Sequence, residues 1–547
     1  MKKNVIILIV IIFLAFIFRV YQLSHVPPSA SLDEVSIGWN AYSILQTGKD
    51  EYGYKFPILL RAYDDWRPAL YVYLVTPFVK LFGLNVLAVR LPSVILGTLS
   101  VLATYFLVLE LFKKYKYRKQ LGLLSAFFLA ISPWSVYISR LGHEANAAFA
   151  FGIIAISLFL KFKNSLRPIY LYLSSIFFAL SFYAYQSGKI FIPLMVIILA
   201  IIFRREILKR RKHVLFSAII GFIILIPVLQ ATLSPNGLAR LKGTSAFNVD
   251  QPQYMHAAIE RLKARGSHDV VRGILNNNRI VSAEIFFQNY LLHFDPRWLF
   301  GNQGLDDFKA PGVGLLYLFD IPFILLGIYY LLGHFDKKTK VLLLSWILIS
   351  PVAASFTTGV PHAMRSYSFL PAWQILGALG LIYIVNSFKS ASSRKIIVLI
   401  VCVIVLINVG YFSRQYFVEF PKKESSSFQY ALSRAIVFSW GEKNSFNKII
   451  ISDRNNLYQS YMFLLFYSKY DPNLYQREGG TKSGGFAANH SFDKFEFRPV
   501  SWSSESQGKG ILYIRNILNL TVDTKVFNIK TFSNLDGENK IIAIWKK

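Results

Sequence analysis

The chain has little of what stabilises a secreted scaffold or typifies a soluble enzyme. Of its 547 residues one is cysteine, Cys402, so no disulfide can form within the chain. Acidic residues are scarce, since 30 Asp and Glu stand against 60 Lys and Arg, and charged residues make up only 16% of the sequence. No internal repeat is visible, whereas many transporters have two-fold repeat symmetry. The single cysteine excludes a domain held together by disulfides within the chain, and the lack of a repeat disfavours a transporter built from two repeats.

Long apolar runs are what the sequence has in abundance. Hydrophobic residues make up 54% of the chain, and the mean hydropathy is +0.41. Runs of about twenty apolar residues recur, each long enough to cross a ~30 Å hydrocarbon core. Because the runs are continuous rather than alternating, they predict helices and not barrel strands. We expect about eleven transmembrane helices, near residues 4–23, 89–112, 121–139, 144–161, 168–186, 190–204, 213–233, 313–333, 341–358, 368–387 and 394–412.

The basic residues lie mainly in short connectors between these runs, at 113–119, 204–212, 336–340 and 388–395. With the N-terminus inside, every one of these connectors falls on the cytoplasmic side, where anionic lipid attracts Lys and Arg. The net charge of +30 therefore indicates membrane topology rather than nucleic-acid binding. We predict a multi-pass protein of the cell (plasma) membrane with a cytoplasmic N-terminus.

The segment 68–84 is apolar enough to compete as a further span. If it crossed the membrane, all later basic connectors would change side, so the charges predict an interfacial or re-entrant helix against the outer leaflet. This threading defines a first extracytoplasmic loop at 24–88 and a long one at 234–312, within a transmembrane catalytic domain of residues 1–412. In the long loop we expect helices at 252–275 and 279–294.

After residue 412 the composition becomes mixed, and short β-like runs alternate with polar segments. A helix is expected at 455–469, and strand-like runs stand at 448–452, 510–514, 525–529 and 540–545. Residues 413–547 are long enough for one small domain. We predict an extracytoplasmic α/β domain.

One acidic pair, Asp33–Glu34, follows the first apolar run at the outer membrane surface. A carboxylate at a partly desolvated interface can have its pKa raised, which suits a general base that deprotonates a hydroxyl group. Two alternatives remain open, a solvated loop pair or an N-terminal cap for a helix over 35–46. Asp33 and Glu34 are therefore candidate catalytic residues.

A second acidic pair, Asp64–Asp65, stands just before Arg67 and Pro68. Arg67 could hold an anionic headgroup, and the two acids are secondary site candidates. Alternatively the acids and the proline mark the start of a helix, where carboxylates and a first-turn proline are favoured. That alternative leaves Arg67 unexplained, since a cation is disfavoured at a helix N-terminus.

Further charged residues and histidines recur in the other outer turns. Arg140, His143 and Glu144 share one turn, and this grouping could bind phosphate, ligate a metal or exchange protons. The sequence allows a divalent metal but does not require one, because a zinc site normally needs at least three protein ligands. Arginine suits bidentate phosphate recognition, and Arg90 is expected to extend to the lipid headgroups. The remaining candidate phosphate or sugar ligands are Lys189, His293, Arg297, His362 and Arg365.

Together these segments resemble a known family. SLDEVSIGWNAYSILQTG, followed by RPALYVYLVTPFVKLFGLNVLAVRLPSVILGTLSVL, is similar to the N-terminal module of the dolichyl-phosphate-mannose protein mannosyltransferases. Their superfamily, glycosyltransferase family 39-like, includes the bacterial aminoarabinose lipid A transferases. HFDPRWLFGNQG and PHAMRSYSFLP also resemble family segments before later helices. The resemblance covers about residues 1–412.

The resemblance implies a polytopic α-helical GT-C fold and inverting transfer of a single sugar from a polyisoprenyl-phosphate carrier. It implies that Asp33 is the leading candidate for catalytic base, with Glu34 beside it, and that Glu144 lies in the second acidic motif. Arg67 takes the place of a basic residue that contacts lipid phosphate, and Arg365 that of a later phosphate-binding arginine. In one departure, the family often has two prolines after that basic residue, whereas here Pro68 is followed by alanine.

The expected function is therefore an inverting membrane glycosyltransferase, transferring a hexose or pentose, whose acceptor is a hydroxyl group on a protein, lipid or cell-wall glycan at the extracytoplasmic face. The expected partners are the lipid-linked donor, that acceptor and membrane lipids. A polytopic transporter or lipid flippase of the cell envelope is the alternative. It is disfavoured because the charges gather in outer loops and not at mid-membrane depth.

Overall fold

A computed structural model of the chain describes residues 2–63, 65–247, 255, 260, 278–302, 308–454, 457–483, 489–518 and 522–547. Contacts between residues divide the chain into two compact units. The first unit comprises residues 1–19, 95–139 and 144–412, and the second comprises residues 20–94, 140–143 and 413–547. The helix predicted at 252–275 lies almost wholly outside the described residues.

The first unit is built from helices. In chain order its α-helices are Lys2–Val20, Arg118–Ile131, Pro133–Ser139, Glu144–Ser165, Pro168–Ala184, Gly188–Ile202, Arg204–Leu208, Arg211–Leu233, Pro235–Thr244, Asn278–Leu292, Pro296–Leu299, Asp320–His334, Lys337–Ile349, Val352–Ser355, Ala372–Ser387 and Ala391–Arg414, with a 3₁₀ turn at Tyr367–Phe369. Helix Val86–Leu111 begins in the second unit and continues into the first. Each apolar run predicted to span the membrane coincides with one of these helices or with an adjacent pair.

Among the described residues, seven helices are long and apolar enough to cross a membrane. The helices Arg118–Ile131 and Pro133–Ser139, which meet at an angle of 59°, would form an eighth crossing if they are one broken span. Three further predicted spans are shorter apolar helices, at Pro168–Ala184, Gly188–Ile202 and Asp320–His334. The predicted polytopic helical membrane fold is confirmed, while the number of crossings stays a prediction.

Two glycines allow the helices Asp320–His334 and Ala372–Ser387 to pack backbone against backbone. A Cβ at Gly327 would overlap the carbonyl oxygen of Leu376, and a Cβ at Gly380 would overlap that of Phe323. Such close approach through small residues is how membrane helices gain packing contacts without a hydrophobic driving force. This close packing fixes the position of helix Ala372–Ser387, which follows the turn that carries His362 and Arg365.

The first loop of the second unit contains a helix, a β-hairpin and a second helix. Helix Leu32–Thr47 starts at the N-cap Ser31 and ends at Gly48, whose φ of +71° is the left-handed conformation that favours glycine. Strands β1 (Leu59–Ala62) and β2 (Asp65–Pro68) pair antiparallel, with Leu60 opposite Arg67. Helix Leu70–Phe82 follows, where the sequence predicts an interfacial helix.

The expectation that the acidic pair and Pro68 mark a helix start is wrong for the residues described. Asp65 begins strand β2 and Pro68 ends it, opposite Leu59. Helix Leu70–Phe82 starts after Ala69 and has no side-chain cap. Proline is tolerated here because the hairpin is a two-stranded sheet, so each strand has an open edge. Asp64 lies outside the described residues.

The C-terminal part of the second unit is an α/β domain around a six-stranded mixed sheet. Its strands are β3 Lys448–Ile451, β4 His490–Phe492, β5 Phe495–Phe497, β6 Ile511–Asn516, β7 Phe527–Ser533 and β8 Asn539–Lys546, in the order β4-β5-β3-β6-β8-β7. β3 pairs parallel with β5 and β6, and the other pairs are antiparallel. Its helices are Phe420–Lys423, Tyr430–Gly441, Ser460–Tyr467 and Pro472–Arg477, after a π-helical turn at Gln415–Glu419, with 3₁₀ turns at Lys443–Ser445 and Trp502–Ser504. The predicted α/β domain is confirmed.

Within the second unit, helix Leu32–Thr47 packs against helix Ser460–Tyr467 of the α/β domain. A Cβ at Gly38 would collide with the ring of Phe466 and with Val89, so only glycine allows this contact. The indole nitrogen of Trp39 donates a hydrogen bond to the carbonyl oxygen of Tyr470 at 3.3 Å. The helix that carries both Asp33 and Glu34 is therefore held by the C-terminal domain.

Candidate functional site

Glu34 occupies the third position of helix Leu32–Thr47 and forms a capping box with Ser31. The backbone N–H of Ser31 donates to Glu34 Oε2 at 2.9 Å. Arg90 donates to both carboxylate oxygens, from Nε to Oε1 at 2.7 Å and from Nη2 to Oε2 at 2.9 Å. A fourth hydrogen bond comes from the backbone N–H of Gly142 to Oε1, at 2.7 Å. All of the roughly four acceptor positions of a carboxylate are thus used.

These contacts decide the ionisation of Glu34. Burial by itself would raise the pKa of this carboxyl group, but the charge of Arg90 and the four hydrogen bonds outweigh burial and lower the pKa below its ordinary value. An anion with saturated acceptor positions and a lowered pKa is a poor general base. The geometry favours a structural role, in which Glu34 anchors the first loop.

Arg90 is the cation that makes this anchor possible. Its side chain is fully buried, so the expectation that it extends to the headgroups is wrong. Besides Glu34 it donates to the carbonyl oxygens of Leu23, Pro27 and Ser29, at 2.9, 3.0 and 2.6 Å. The guanidinium group therefore organises the chain between the first apolar helix and helix Leu32–Thr47.

The side chain of Asp33 lies in a different environment from that of Glu34, because consecutive helix residues do not face the same side. Its side chain is 52% exposed and accepts a hydrogen bond and ion pair from Arg67 Nη1 at 3.1 Å. Arg67 is only 4% exposed, and its Nη2 donates to Ser36 Oγ at 2.7 Å. A buried arginine on strand β2 thus orients a carboxylate that remains open to solvent.

Arg140, predicted as a phosphate ligand, is buried among protein groups of the second unit. Its Nη2 donates to the carbonyl oxygen of Val26 at 2.7 Å, and its guanidinium lies 5.4 Å from the ring centre of Tyr416 and 4.9 Å from that of Phe417. The half-buried His143 lies in the same short turn. These contacts give Arg140 a structural part in holding the turn.

Glu144 is buried and begins helix Glu144–Ser165 of the first unit, where its charge suits the helix dipole. Within the described ranges of the chain, no group of three or more His, Cys, Asp and Glu side chains is arranged to hold a metal ion. The roles predicted for His143 and Glu144 therefore stay predictions.

In the first unit, two of the predicted phosphate ligands line one cavity. The cavity has a volume of about 520 Å³, and Lys189 and Arg365 stand in its wall beside Thr232 and Thr357. Lys189 Nζ donates to Thr232 Oγ1 at 2.9 Å, and Arg365 Nη1 donates to Thr357 Oγ1 and to the carbonyl oxygen of Thr358, both at 2.6 Å. The remaining lining includes the apolar residues Ile190, Leu238, Phe247, Ala353 and Phe356. Two cations in an apolar wall suit an anionic headgroup joined to a lipid chain.

The other predicted ligands of the first unit have local partners. His293 is buried, its Nδ1 is bonded to the carbonyl oxygen of Asn289 at 2.7 Å, and its Nε2 accepts from the backbone N–H of His362 at 3.3 Å. Burial lowers the pKa of His293 to about 4, so it is neutral at ordinary pH. The ring of His362 stacks on that of Phe308. Arg297 is 73% exposed and pairs with Asp295 at 2.7 Å.

Glu51 is a buried acid that the sequence does not mark as a candidate site residue, because it lies in a loop rich in polar and glycine residues. It accepts hydrogen bonds from Asn40 Nδ2 at 3.1 Å, and from Tyr461 OH and Thr481 Oγ1, both at 2.9 Å. Burial raises its pKa to about 7. The adjacent Asp50 also has a pKa raised by burial, to about 6. No local pattern signals Glu51, since two of its partners are more than 400 residues away.

Comparison with known proteins agrees with this architecture. The model of the family described as dolichyl-phosphate-mannose-protein mannosyltransferase matches residues 66–230, a segment that starts after Asp33. No curated protein matches the chain. The family match confirms, over residues 66–230, the resemblance predicted from the sequence.

Among solved structures, ArnT from Cupriavidus metallidurans bound to undecaprenyl phosphate superposes with a TM-score of 0.53 at 10% identity, over 99% of this chain and 98% of that one. Archaeal oligosaccharyltransferase AglB from Archaeoglobus fulgidus, in complex with an inhibitory peptide and a dolichol-phosphate, gives a TM-score of 0.50 at 15% identity. The matched region covers 85% of this chain and 64% of the AglB chain. This chain therefore spans slightly less than two thirds of the length of AglB. The chain therefore has the GT-C fold of membrane glycosyltransferases.

Proposed function

We propose that the protein is an inverting glycosyltransferase that moves a single sugar from a polyisoprenyl-phosphate carrier to a hydroxyl acceptor on the extracytoplasmic face. The observation that carries the proposal is the pairing of Asp33 with Arg67 in a chain of GT-C fold. ArnT has been solved with undecaprenyl phosphate and AglB with a dolichol-phosphate. The same class of lipid carrier is proposed for this chain.

Asp33 is the proposed general base. It is half exposed, so an acceptor hydroxyl group can reach its carboxylate, and Arg67 holds the carboxylate in one orientation. Glu34 is not chosen because four hydrogen bonds occupy its oxygens. In the proposed step Asp33 takes the hydroxyl proton as the acceptor oxygen bonds to the anomeric carbon. The bond from that carbon to the phosphate oxygen breaks, so the configuration inverts and lipid phosphate leaves with the electron pair.

Lys189 and Arg365 are the proposed ligands of the lipid phosphate. The leaving phosphate gains negative charge during transfer, and cations that meet this charge lower the barrier. Both side chains are already oriented by threonine hydroxyl groups, and the apolar lining of their cavity suits the first isoprene units. Arg297 is left out because it is exposed and paired with Asp295.

The function is tested by incubating purified full-length protein with polyprenyl-phosphate monosaccharides and candidate protein, lipid and glycan acceptors. Mass spectrometry should show an acceptor that has gained one sugar, together with release of polyprenyl phosphate. The absence of transfer from every donor offered, by protein that is folded and binds the carrier, would contradict the proposal.

The proposed sidedness has its own test in intact cells. Cys402 is first replaced by serine, so that an introduced cysteine is the only thiol group. Tyr54→Cys in the first loop should react with a membrane-impermeant maleimide, whereas Lys116→Cys in a basic connector should react only after the membrane is opened. Tyr54 and Lys116 are both exposed, which makes the two variants comparable. The reverse pattern would overturn the orientation.

A further inference from the structure

A continuous series of side-chain contacts joins Glu51 to Asp33. Asn40 Nδ2, which donates to Glu51 Oε1 at 3.1 Å, also lies 3.4 Å from Ser36 Oγ and donates to the Ser36 carbonyl oxygen at 2.9 Å. Ser36 Oγ accepts from Arg67 Nη2 at 2.7 Å, and Arg67 Nη1 donates to Asp33 at 3.1 Å. Asp33, Ser36 and Asn40 share one face of helix Leu32–Thr47 because they are three and four residues apart.

The other oxygen of Glu51 is bound from the C-terminal domain. Tyr461 OH and Thr481 Oγ1 both donate to Oε2 at 2.9 Å, and Tyr475 OH is bonded to Thr481 Oγ1 at 2.8 Å. The backbone of the same residue is also held, since the N–H of Glu51 donates to Asn40 Oδ1 at 2.9 Å and the N–H of Thr481 donates to the carbonyl oxygen of Glu51 at 3.0 Å. Glu51 therefore connects the α/β domain to the helix that carries Asp33.

Glu51 is fully buried. Burial has the largest effect on its pKa and raises it, the hydrogen bonds from Asn40, Tyr461 and Thr481 lower it, and the charge of Asp50 raises it. A buried acid costs folding free energy unless its hydrogen bonds compensate. A leucine in its place would fill the space without that cost, but Asn40, Tyr461 and Thr481 would each lose the carboxylate oxygen to which they donate. The specific contribution of the carboxyl group is thus to fix three side chains in one arrangement.

We propose that Glu51 is a positioning residue for the transfer reaction, and that through Asn40, Ser36 and Arg67 it couples the C-terminal domain to the orientation of Asp33. The proposal rests on the proposed function, in which Asp33 is the base. It assigns the C-terminal domain to the catalytic machinery rather than to an independent binding module. A small displacement of a base from its reacting geometry lowers a rate about a hundredfold, so the coupling has a measurable consequence.

The test compares Glu51→Ala, Glu51→Gln and Tyr461→Phe in the full-length protein. Glutamine can accept from Asn40 and donate to the hydroxyl groups of Tyr461 and Thr481, which can turn to accept. Glu51→Ala should lower kcat by about ten- to a hundredfold with KM for the carrier unchanged. Glu51→Gln should restore most of kcat, and Tyr461→Phe should give a smaller loss. Asp453→Asn is the matched control, because Asp453 is a buried acid of the same domain that pairs with Arg454.

A second readout does not depend on activity. Hydrogen–deuterium exchange of the amides in residues 32–47 should be faster in Glu51→Ala than in the parent, and near the parent rate in Glu51→Gln and Asp453→Asn. Parent protein that transfers no sugar would contradict the proposed function, while the exchange rates would still decide the coupling. Unchanged exchange together with unchanged kcat per folded molecule in Glu51→Ala would overturn the role of Glu51. If Glu51→Ala does not fold, an unaltered kcat and exchange rate in Tyr461→Phe would do the same.

Discussion

Arg90 donates hydrogen bonds to both carboxylate oxygens of Glu34, at 2.7 and 2.9 Å, while Asp33, the residue before Glu34, remains 52% exposed. Two neighbouring acids thus have opposite settings. Glu34 is a buried anion paired with Arg90, whereas Asp33 is an accessible carboxylate oriented by Arg67. This division predicts that Glu34 supports stability and that Asp33 supports chemistry.

Glu34→Ala should strongly destabilise the protein. The change leaves the buried guanidinium of Arg90 without its carboxylate, and removing one partner of a buried ion pair costs about 3–5 kcal/mol. The free energy of unfolding in detergent measures the effect. Arg297→Ala breaks an exposed pair with Asp295 and should change this free energy far less. Equal effects of the two variants would show that the Glu34–Arg90 pair is not a structural anchor.

Lys189→Ala and Arg365→Ala should each weaken binding of the lipid carrier. Loss of a hydrogen bond to a charged group costs about 1.5–3 kcal/mol, which corresponds to an affinity about ten- to a hundredfold lower. Binding of polyprenyl phosphate to the purified variants measures this directly. Arg297→Ala is the control, since that arginine is exposed and paired with Asp295. Carrier affinity unchanged in both cavity variants would refute their role as phosphate ligands.

Glu51 should make stability depend on pH. Burial raises its folded-state pKa to about 7, above the value of about 4.3 expected in the unfolded chain. The folded state therefore binds the proton more tightly, so this stabilising contribution is complete below about pH 4 and is lost as the pH rises through about 7. The thermal midpoint of the parent should fall relative to that of Glu51→Gln between about pH 5 and pH 8. A difference between the two proteins that does not change with pH would exclude this linkage.

Much of the fold is predictable because its signals are local. Apolar runs coincide with the helices of the first unit, and the run KIIAIW coincides with strand β8. The hairpin β1–β2 was missed because acids before a proline are also typical of a helix start. Grouping of residues 20–94 with residues 413–547 has no local signal either, since it depends on contacts such as that of Gly38 with Phe466.

The site was less predictable, because its important contacts join distant residues. Asp33 and Arg67 were identified singly, but their pairing across 34 residues was not, nor was the pairing of Glu34 with Arg90 across 56. Charge type alone also could not separate Arg365, in a cavity wall, from Arg140, stacked on aromatic rings. Glu51 could not be predicted as a site residue for the same reason, because its contacts join residues that are far apart in the sequence.

The central claim is that Asp33 is the base of a sugar transfer. Asp33→Asn keeps the size of the side chain and a hydrogen-bond acceptor for Arg67, but an amide cannot take the proton of the acceptor hydroxyl group. The decisive measurement is kcat of purified Asp33→Asn with a polyprenyl-phosphate monosaccharide, together with its thermal midpoint and its affinity for polyprenyl phosphate. We predict a kcat at least about a hundredfold below the parent value, with midpoint and affinity unchanged. A kcat close to that of the parent would contradict the account.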